Sequence, residues 1–411
     1  MTNLALLPVT LQPGDIRYAP GVRAGRWVFA TGHKATAQVV DPAAPRFGLP
    51  KHKKEAEQIF ARLDEVLAAG GARREDVVRI DQYYTAARAV DPYHEVRREF
   101  FSGRIPPSTS NLHQRLLLPG RDIEVQLIAA VAEKGFEPRE HRPPGLPVHP
   151  SSGYSPVMTC GDFVFVAGQT GEALDTARGP LDPEACMPAG HLWKGTPVKL
   201  ETEFILRRKL KPALESVGNT LNEVVKAQVY LRDVDDIPAF NEVWAAHFGA
   251  TPPATSLITT STPGFICEVG RVEINTISVR RASATRKEII DAEVPMPYAG
   301  QVQAVRAGEL LFFSNLMAVD AGGALAVDAE VGPQMEHMLA AAERLCRKAG
   351  TTLANVVRVQ QFHTDLADFT GAWRIWQDHL PGQYLPFSAL EVPALGVPGA
   401  VVMLDLWVYV P

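Results

Sequence analysis

The chain has 411 residues, room for roughly two to four domains of ordinary size. Hydrophobic residues make up 46% and charged residues 21%, with 32 Gly and 33 Pro, which excludes wholesale disorder and a collagen-like or low-complexity chain. A net charge of −5 excludes a global attraction to nucleic acid or to an anionic membrane.

The opening stretch MTNLALLPVTLQPGD has no basic segment, and Pro8 breaks its apolar run, so no secretory signal is expected. No apolar run reaches the length of a membrane span. A β-rich segment follows, RYAPGVRAGRWVFATGH, with Tyr18 at its start. Ala56, Ile59, Phe60, Leu63, Val66 and Leu67 then recur at helical spacing up to Gly70-Gly71. The alternating run EDVVRIDQYYT predicts a half-buried strand, DPYHEVRREFF a second helix, and PSTSNLHQRLLLPGRDIEVQLIAAV two more strands. EPREHRPPGLPVHP reads as a linker.

The same order then begins again at GYSPVMTCGDFVFVAGQ, with Tyr154. Its helix carries Phe204, Ile205, Leu210 and Leu214 before Gly218, and Pro212 predicts a kink or a late start. NEVVKAQVYLRD, a helix striped with Phe240, Val243, Trp244 and Phe248, and PATSLITTSTPGFICEVGRVEINTISV complete the copy. After a charged linker, SATRKEIIDAEVPMP, a third copy opens at PYAGQVQAVRAGELLFFSN with Tyr298. Met335, Met338, Leu339, Ala342, Leu345 and Cys346 form its first helix, stopped at Gly350. NVVRVQQFHTD, a helix with Phe369, Trp373, Trp376 and Leu380, and PFSALEVPALGVPGAVVMLDLWVYV follow.

Each copy is thus an α+β unit whose helices cover one face of a mixed sheet. The other face is apolar, and three copies can cover one another as a closed pseudo-threefold ring. The expected domains are residues 1–135, 148–282 and 293–411.

The shared elements resemble the Rid family (YjgF/YER057c/UK114, the reactive-intermediate deaminases). The resemblance rests on the Tyr-containing opening, Ala167-Gly168-Gln169, the DVV/EVV strand, the Phe240–Trp244 helix, the Pro252–Ser256 strand and the closing Val272–Ile274 strand. It implies a chorismate-mutase-like fold, normally assembled as a homotrimer with ligand sites between subunits, and here a single-chain pseudo-trimer. It also implies cofactor-free hydrolysis of imines or enamines, with an Arg gripping the substrate carboxylate and a Glu associated with water. The Arg position is Thr109, Thr255 and Ser388 in the three copies, so none keeps a guanidinium, the planar bidentate clamp that a hydroxyl cannot reproduce. The Glu position is Glu124 and Glu273, with Met403 in the third copy and Asp405 two residues on.

Strand alternation gives candidates of its own. Thr109, Asn111, His113 and Arg115 share one face in the first copy; Thr255 and Leu257 begin the matching face in the second, and Ser388 and Leu390 that in the third. His113 or Glu124 is a candidate proton-transfer group, Glu273 a candidate base, and Arg115 a candidate anion contact. Tyr18, Tyr154 and Tyr298 are candidate cleft-lining residues, as are His33, after Thr31-Gly32, and Asn241 on its helix. The 11 His show no metal-ligand spacing, and no phosphate loop or dinucleotide fingerprint occurs, so neither metal nor cofactor is expected. Lys51-His52-Lys53-Lys54 and Arg207-Arg208-Lys209 read as solvated basic faces. Cys160, Cys186, Cys267 and Cys346 lie far apart and read as buried or half-buried thiols of a cytoplasmic protein.

The expected function is hydrolysis or deamination of a small nitrogenous intermediate by Glu-activated water in an inter-domain cleft. The alternative is a non-catalytic small-molecule-binding or scaffold protein. Ribonuclease activity, attributed to some family members, is opposed by the acidic charge and the lack of a basic stripe. The expected partner is a small molecule, not nucleic acid or membrane; a monomer is the default state, with dimerisation left open.

Overall fold

The computed structural model describes residues 9–11, 16–35, 51–146, 148, 152–173, 180–188, 190, 196–261, 264–265 and 269–411. A two-stranded ribbon, β1 (Val9–Leu11) and β2 (Ile16–Tyr18), precedes the first domain. That domain contains β3 (Gly21–Ala24), β4 (Trp27–His33), α1 (Lys51–Gly70), β5 (Val77–Tyr84), α2 (Val90–Phe101), β6 (Ser108–Leu112) and β7 (Ile123–Ala130), with sheet order β3-β4-β7-β5-β6. All its neighbours pair antiparallel except β5 and β6.

The second domain repeats the plan with β8 (Arg139–His141), β9 (Val157–Cys160), β10 (Phe163–Thr170), α3 (Pro197–Phe204), α4 (Lys211–Glu215), β11 (Val224–Leu231), α5 (Ile237–Phe248), β12 (Ala254–Thr259) and β13 (Val272–Val279). The third has β14 (Lys287–Ile290), β15 (Ala304–Ala307), β16 (Leu310–Phe313), α6 (Val331–Lys348), β17 (Val356–His363), α7 (Phe369–His379), β18 (Phe387–Glu391) and β19 (Val402–Tyr409). Their sheet orders are β8-β9-β10-β13-β11-β12 and β14-β15-β16-β19-β17-β18.

The helix stripes read from the sequence are buried except for Val243, which is half-buried, and Gly71, Gly218 and Gly350 stand in the left-handed conformation just beyond the first helices. Pro212 has a definite effect. It has no N–H to donate back, and the preceding turn, Ile205–Leu210, widens into a π-helix joining α3 to α4. The two segments read as linkers differ from expectation, because each contributes a strand, β8 and β14, to the edge of the sheet that follows it. The basic runs are also not wholly solvated. His52 is buried and Lys51 pairs with Asp122, while Lys209 is buried with its ammonium over the Phe204 ring. Cys160 and Cys346 are buried and Cys186 half-buried; Cys267 lies outside the described residues.

The helix-free faces of the three sheets meet in one shared core. Trp27 and Phe29 of the first domain, Met158 and Phe165 of the second, and Phe312 and Trp407 of the third belong to it. Burial of these faces is the hydrophobic driving force for ring closure. The centre of the ring also carries a polar network. Arg79 and Arg358 both bond Asp81, and Lys226 Nζ donates to Ser256 Oγ, Phe313 O and Asp405 Oδ1 at 2.8, 2.6 and 2.9 Å. Gln228 bonds both Gln360 and Asp405, which ties the second domain to the third.

Candidate active site at the domain seams

Each domain opens with a tyrosine that packs into the core of a neighbour. Tyr18 joins the third domain's core, with its ring 5.0 Å from that of Phe387. Tyr154 packs on the first domain's core and Tyr298 on the second's. The three contacts run head to tail and close the ring, which fixes which walls face one another.

At the seam of the first and third domains, Glu124 on β7 meets Ser388 on β18. The Ser388 hydroxyl donates to Glu124 Oε1, and Lys34 Nζ lies 2.6 Å from Glu124 Oε2. Lys34 and Glu124 are 1% and 0% exposed as side chains. A shift of register between Ala30 and His33 bulges β4 just before Lys34. Gly32 sits in that bulge at φ 69°, where a Cβ would stand 2.3 Å from the Phe387 carbonyl oxygen. Glycine thus lets the neighbouring backbone approach. The Gly32 carbonyl accepts from Tyr18 OH at 3.1 Å and from Lys34 Nζ at 3.0 Å. A cavity of about 500 Å³ lies at the same seam, lined by Ile16, Leu117, Leu118, Arg121 and Phe369 among others. Phe369 stacks on Phe387, the residue before Ser388.

At the seam of the second and first domains, Glu273 on β13 lies against β6. It accepts from the Ser110 backbone, and burial, reinforced by Glu172, holds its carboxyl well above the usual range. A Cβ on Gly168, in the matching bulge of β10, would fall 1.9 Å from Glu273 Oε1. Thr109 Oγ1 accepts from Asn275 Nδ2 at 3.1 Å.

The third seam is closed by uncharged groups: backbone, two polar side chains and an apolar cluster. Asn315 N donates to Thr255 O, Thr255 N to Ser314 Oγ, and Leu257 N to Asn315 Oδ1. Met403 is buried there among Phe362, Ile258 and Leu390. Tyr298 OH stands 1.8 Å from where a Cβ on Gly396 would lie.

The wall Thr109–Arg115 therefore does not face Glu124. Thr109 faces the second domain. Asn111 is buried, and His113 is 1% exposed, with its ring edge-on to Tyr83. Burial pushes the His113 imidazole down to about 3, so it is neutral near pH 7. Arg115 pairs with Glu391 and Asp365 of the third domain. His33 is buried with Nε2 2.7 Å from the Pro20 carbonyl oxygen, and burial lowers it to about 4. Asn241 is half-buried on α5, in the helical layer of the second domain. Sequence reasoning missed Lys34. Its only signal is that it follows the bulge glycine, and its role depends on a strand from another domain.

Among the described residues no cluster of metal-ligating side chains occurs, and no helix is long and apolar enough to cross a membrane. The profile of the family described as Endoribonuclease L-PSP matches residues 12–131, 146–279 and 292–410. A RutC family protein of Pyrococcus abyssi is 38% identical over 105 residues, which are 26% of this chain and 71% of that protein. The 2-iminobutanoate/2-iminopropanoate deaminase of Dermatophagoides farinae is 27% identical over 137 residues, 33% of this chain and 91% of that one. A solved Rid protein, YyfA of Yersinia pestis, is 24% identical and covers 30% of this chain and 100% of its own, with a TM-score of 0.29. The repeated profile match spans most of the sequence: the chain belongs to the Endoribonuclease L-PSP family and consists of three fused copies of its unit.

Proposed function

We propose that the protein is a cofactor-independent hydrolase of a small imine or enamine, acting at the seam between its first and third domains. The observation that supports this most is the buried Lys34–Glu124–Ser388 group, at the seam that also holds a cavity of about 500 Å³ lined by Arg115, Arg121 and Asp122 among others. In this reading Glu124 takes a proton from water as its oxygen attacks the C=N carbon. The resulting carbinolamine regains a proton at nitrogen and releases ammonia or an amine, leaving the carbonyl compound. The named deaminase among the relatives fits this reaction class. Ser388 replaces the family's carboxylate-gripping arginine, so the favoured substrate lacks a carboxylate at that place. The chain supplies all three seams itself and acts as a monomer.

Ammonia release from freshly generated imines, with and without a carboxylate, tests the reading. Glu124→Gln is expected to lower turnover by about 10²-fold or more with the fold intact. Full turnover in that variant removes Glu124 from the chemistry. A second reading, a non-catalytic binding protein, is favoured by one observation: both Glu124 oxygens already have partners. It predicts saturable ligand binding at the seam without product.

A further inference from the structure

The segment joining the first two domains creates a second concave feature. β8 pairs antiparallel with β9, placing Arg139 opposite Thr159. Residues two apart in a strand share a face, so Arg139 and His141 point together and Glu140 points away. Glu140 accepts from Ser155 Oγ and pairs with Arg142. Arg280, just past β13, comes to the same place, its backbone N bonded to Asp162 O. A hollow of about 400 Å³ results, lined by Arg139, His141, Thr159, Arg280, Glu137 and Gly161 among others.

The side chains here are poorly matched to one another. Among the described residues, neither the Arg139 nor the Arg280 guanidinium has a hydrogen bond or ion pair. Glu137, the acid of the hollow, turns to its own loop, accepting from Gly135 N at 3.1 Å. Thr159 is 7% exposed, and its hydroxyl lies 2.9 Å from His141 Nε2. Two guanidinium groups, an imidazole and a buried hydroxyl around one hollow form a donor set for a tetrahedral oxyanion.

We propose that this hollow binds the phosphate group of a small molecule, the two arginines gripping its oxygens and His141 adding a third donor. The site is independent of the seam chemistry, since it shares no residue with it. The ligand's source is either free phosphate or a phosphorylated metabolite.

His141 supplies the readout. Burial, and then Arg280 and Arg139, hold its imidazole below the usual value, while Glu140 opposes them. A bound dianion reverses the arginines' influence, so ligand raises the His141 pKa. The experiment titrates inorganic phosphate, and glycerol phosphate against glycerol, into the full chain at constant ionic strength, following the His141 ring resonances by NMR. Saturable binding with an upward pKa shift is expected. Tighter binding of glycerol phosphate than of phosphate marks a phosphorylated metabolite as the ligand, and equal binding marks free phosphate. The double variant Arg139→Gln/Arg280→Gln changes exposed side chains, so it should fold and bind about tenfold or more weakly. Glu137→Gln should tighten binding. Absence of saturation in the wild type, an effect reproduced by chloride, or undiminished binding by the double variant overturns the proposal.

Discussion

Lys34 Nζ lies 2.6 Å from Glu124 Oε2 in a seam where neither side chain reaches solvent. Both belong to the first domain, yet the third domain's Ser388 completes the group. The cation at this carboxylate therefore comes from the end of β4 rather than from the facing strand. A buried carboxylate without its cation is costly. Lys34→Met should destabilise the protein by about 3–5 kcal/mol in urea unfolding. Adding Glu124→Gln to that variant should recover much of the loss, because the stranded charge is then gone. Loss in the double variant equal to or greater than that in Lys34→Met would refute the pairing as the cause.

The second domain's glutamate is held differently. Gly168 and Glu273 touch so closely that an added Cβ would overlap the carboxylate. Gly168→Ala should destabilise by about 1–3 kcal/mol through overpacking. Gly168→Ala/Glu273→Ala should be more stable than the sum of the single changes, since removing the carboxylate makes room. Additive losses in thermal unfolding would show that the clash lies elsewhere.

The central network makes a pH prediction. Burial is the largest cause lowering Lys226, followed by its cationic neighbours Arg358 and Arg79; Asp405 opposes them, and the ammonium ends at about 8. An unfolded lysine titrates near 10.4. Between these values the unfolded chain holds the extra proton, so stability rises with pH through this window and the penalty is fully present below it. Lys287, lowered to about 8 mainly by burial, adds to the same slope. Urea unfolding from pH 7 to 10 should therefore show a rising trend, steeper in the wild type than in Lys226→Gln. Equal slopes would mean that Lys226 does not titrate there.

The repeat, the helix stripes and the order of strands were legible in the sequence because each depends on local periodicity. Ala56 to Leu67 and Met335 to Cys346 needed only the helical repeat, and all are buried. The linkers were misread because strand formation by Arg139–His141 and Lys287–Ile290 depends on a free sheet edge, not on composition. The site was less legible, since its walls come from different domains. Glu124 and Thr109 belong to one copy but face different neighbours, Ser388 in one case and the second domain in the other. Burial decided His113: an imidazole suited by type to proton transfer lies instead in an apolar cluster.

The opening tyrosines make the last prediction, because they separate packing from hydrogen bonding at one seam. Tyr18 is 4% exposed, lies in the third domain's core and bonds the Gly32 carbonyl oxygen. Tyr18→Phe removes one neutral hydrogen bond and should cost about 1 kcal/mol. Tyr18→Ala also removes the ring from Phe387 and should cost about 3–5 kcal/mol, in line with other buried aromatic truncations. If the ring chiefly holds the first domain to the third, Tyr18→Ala should also raise hydrogen exchange in β18 more than in β12, which lies in the second domain. Equal exchange in the two strands would place the loss within the first domain and deny the tyrosine its role across the seam.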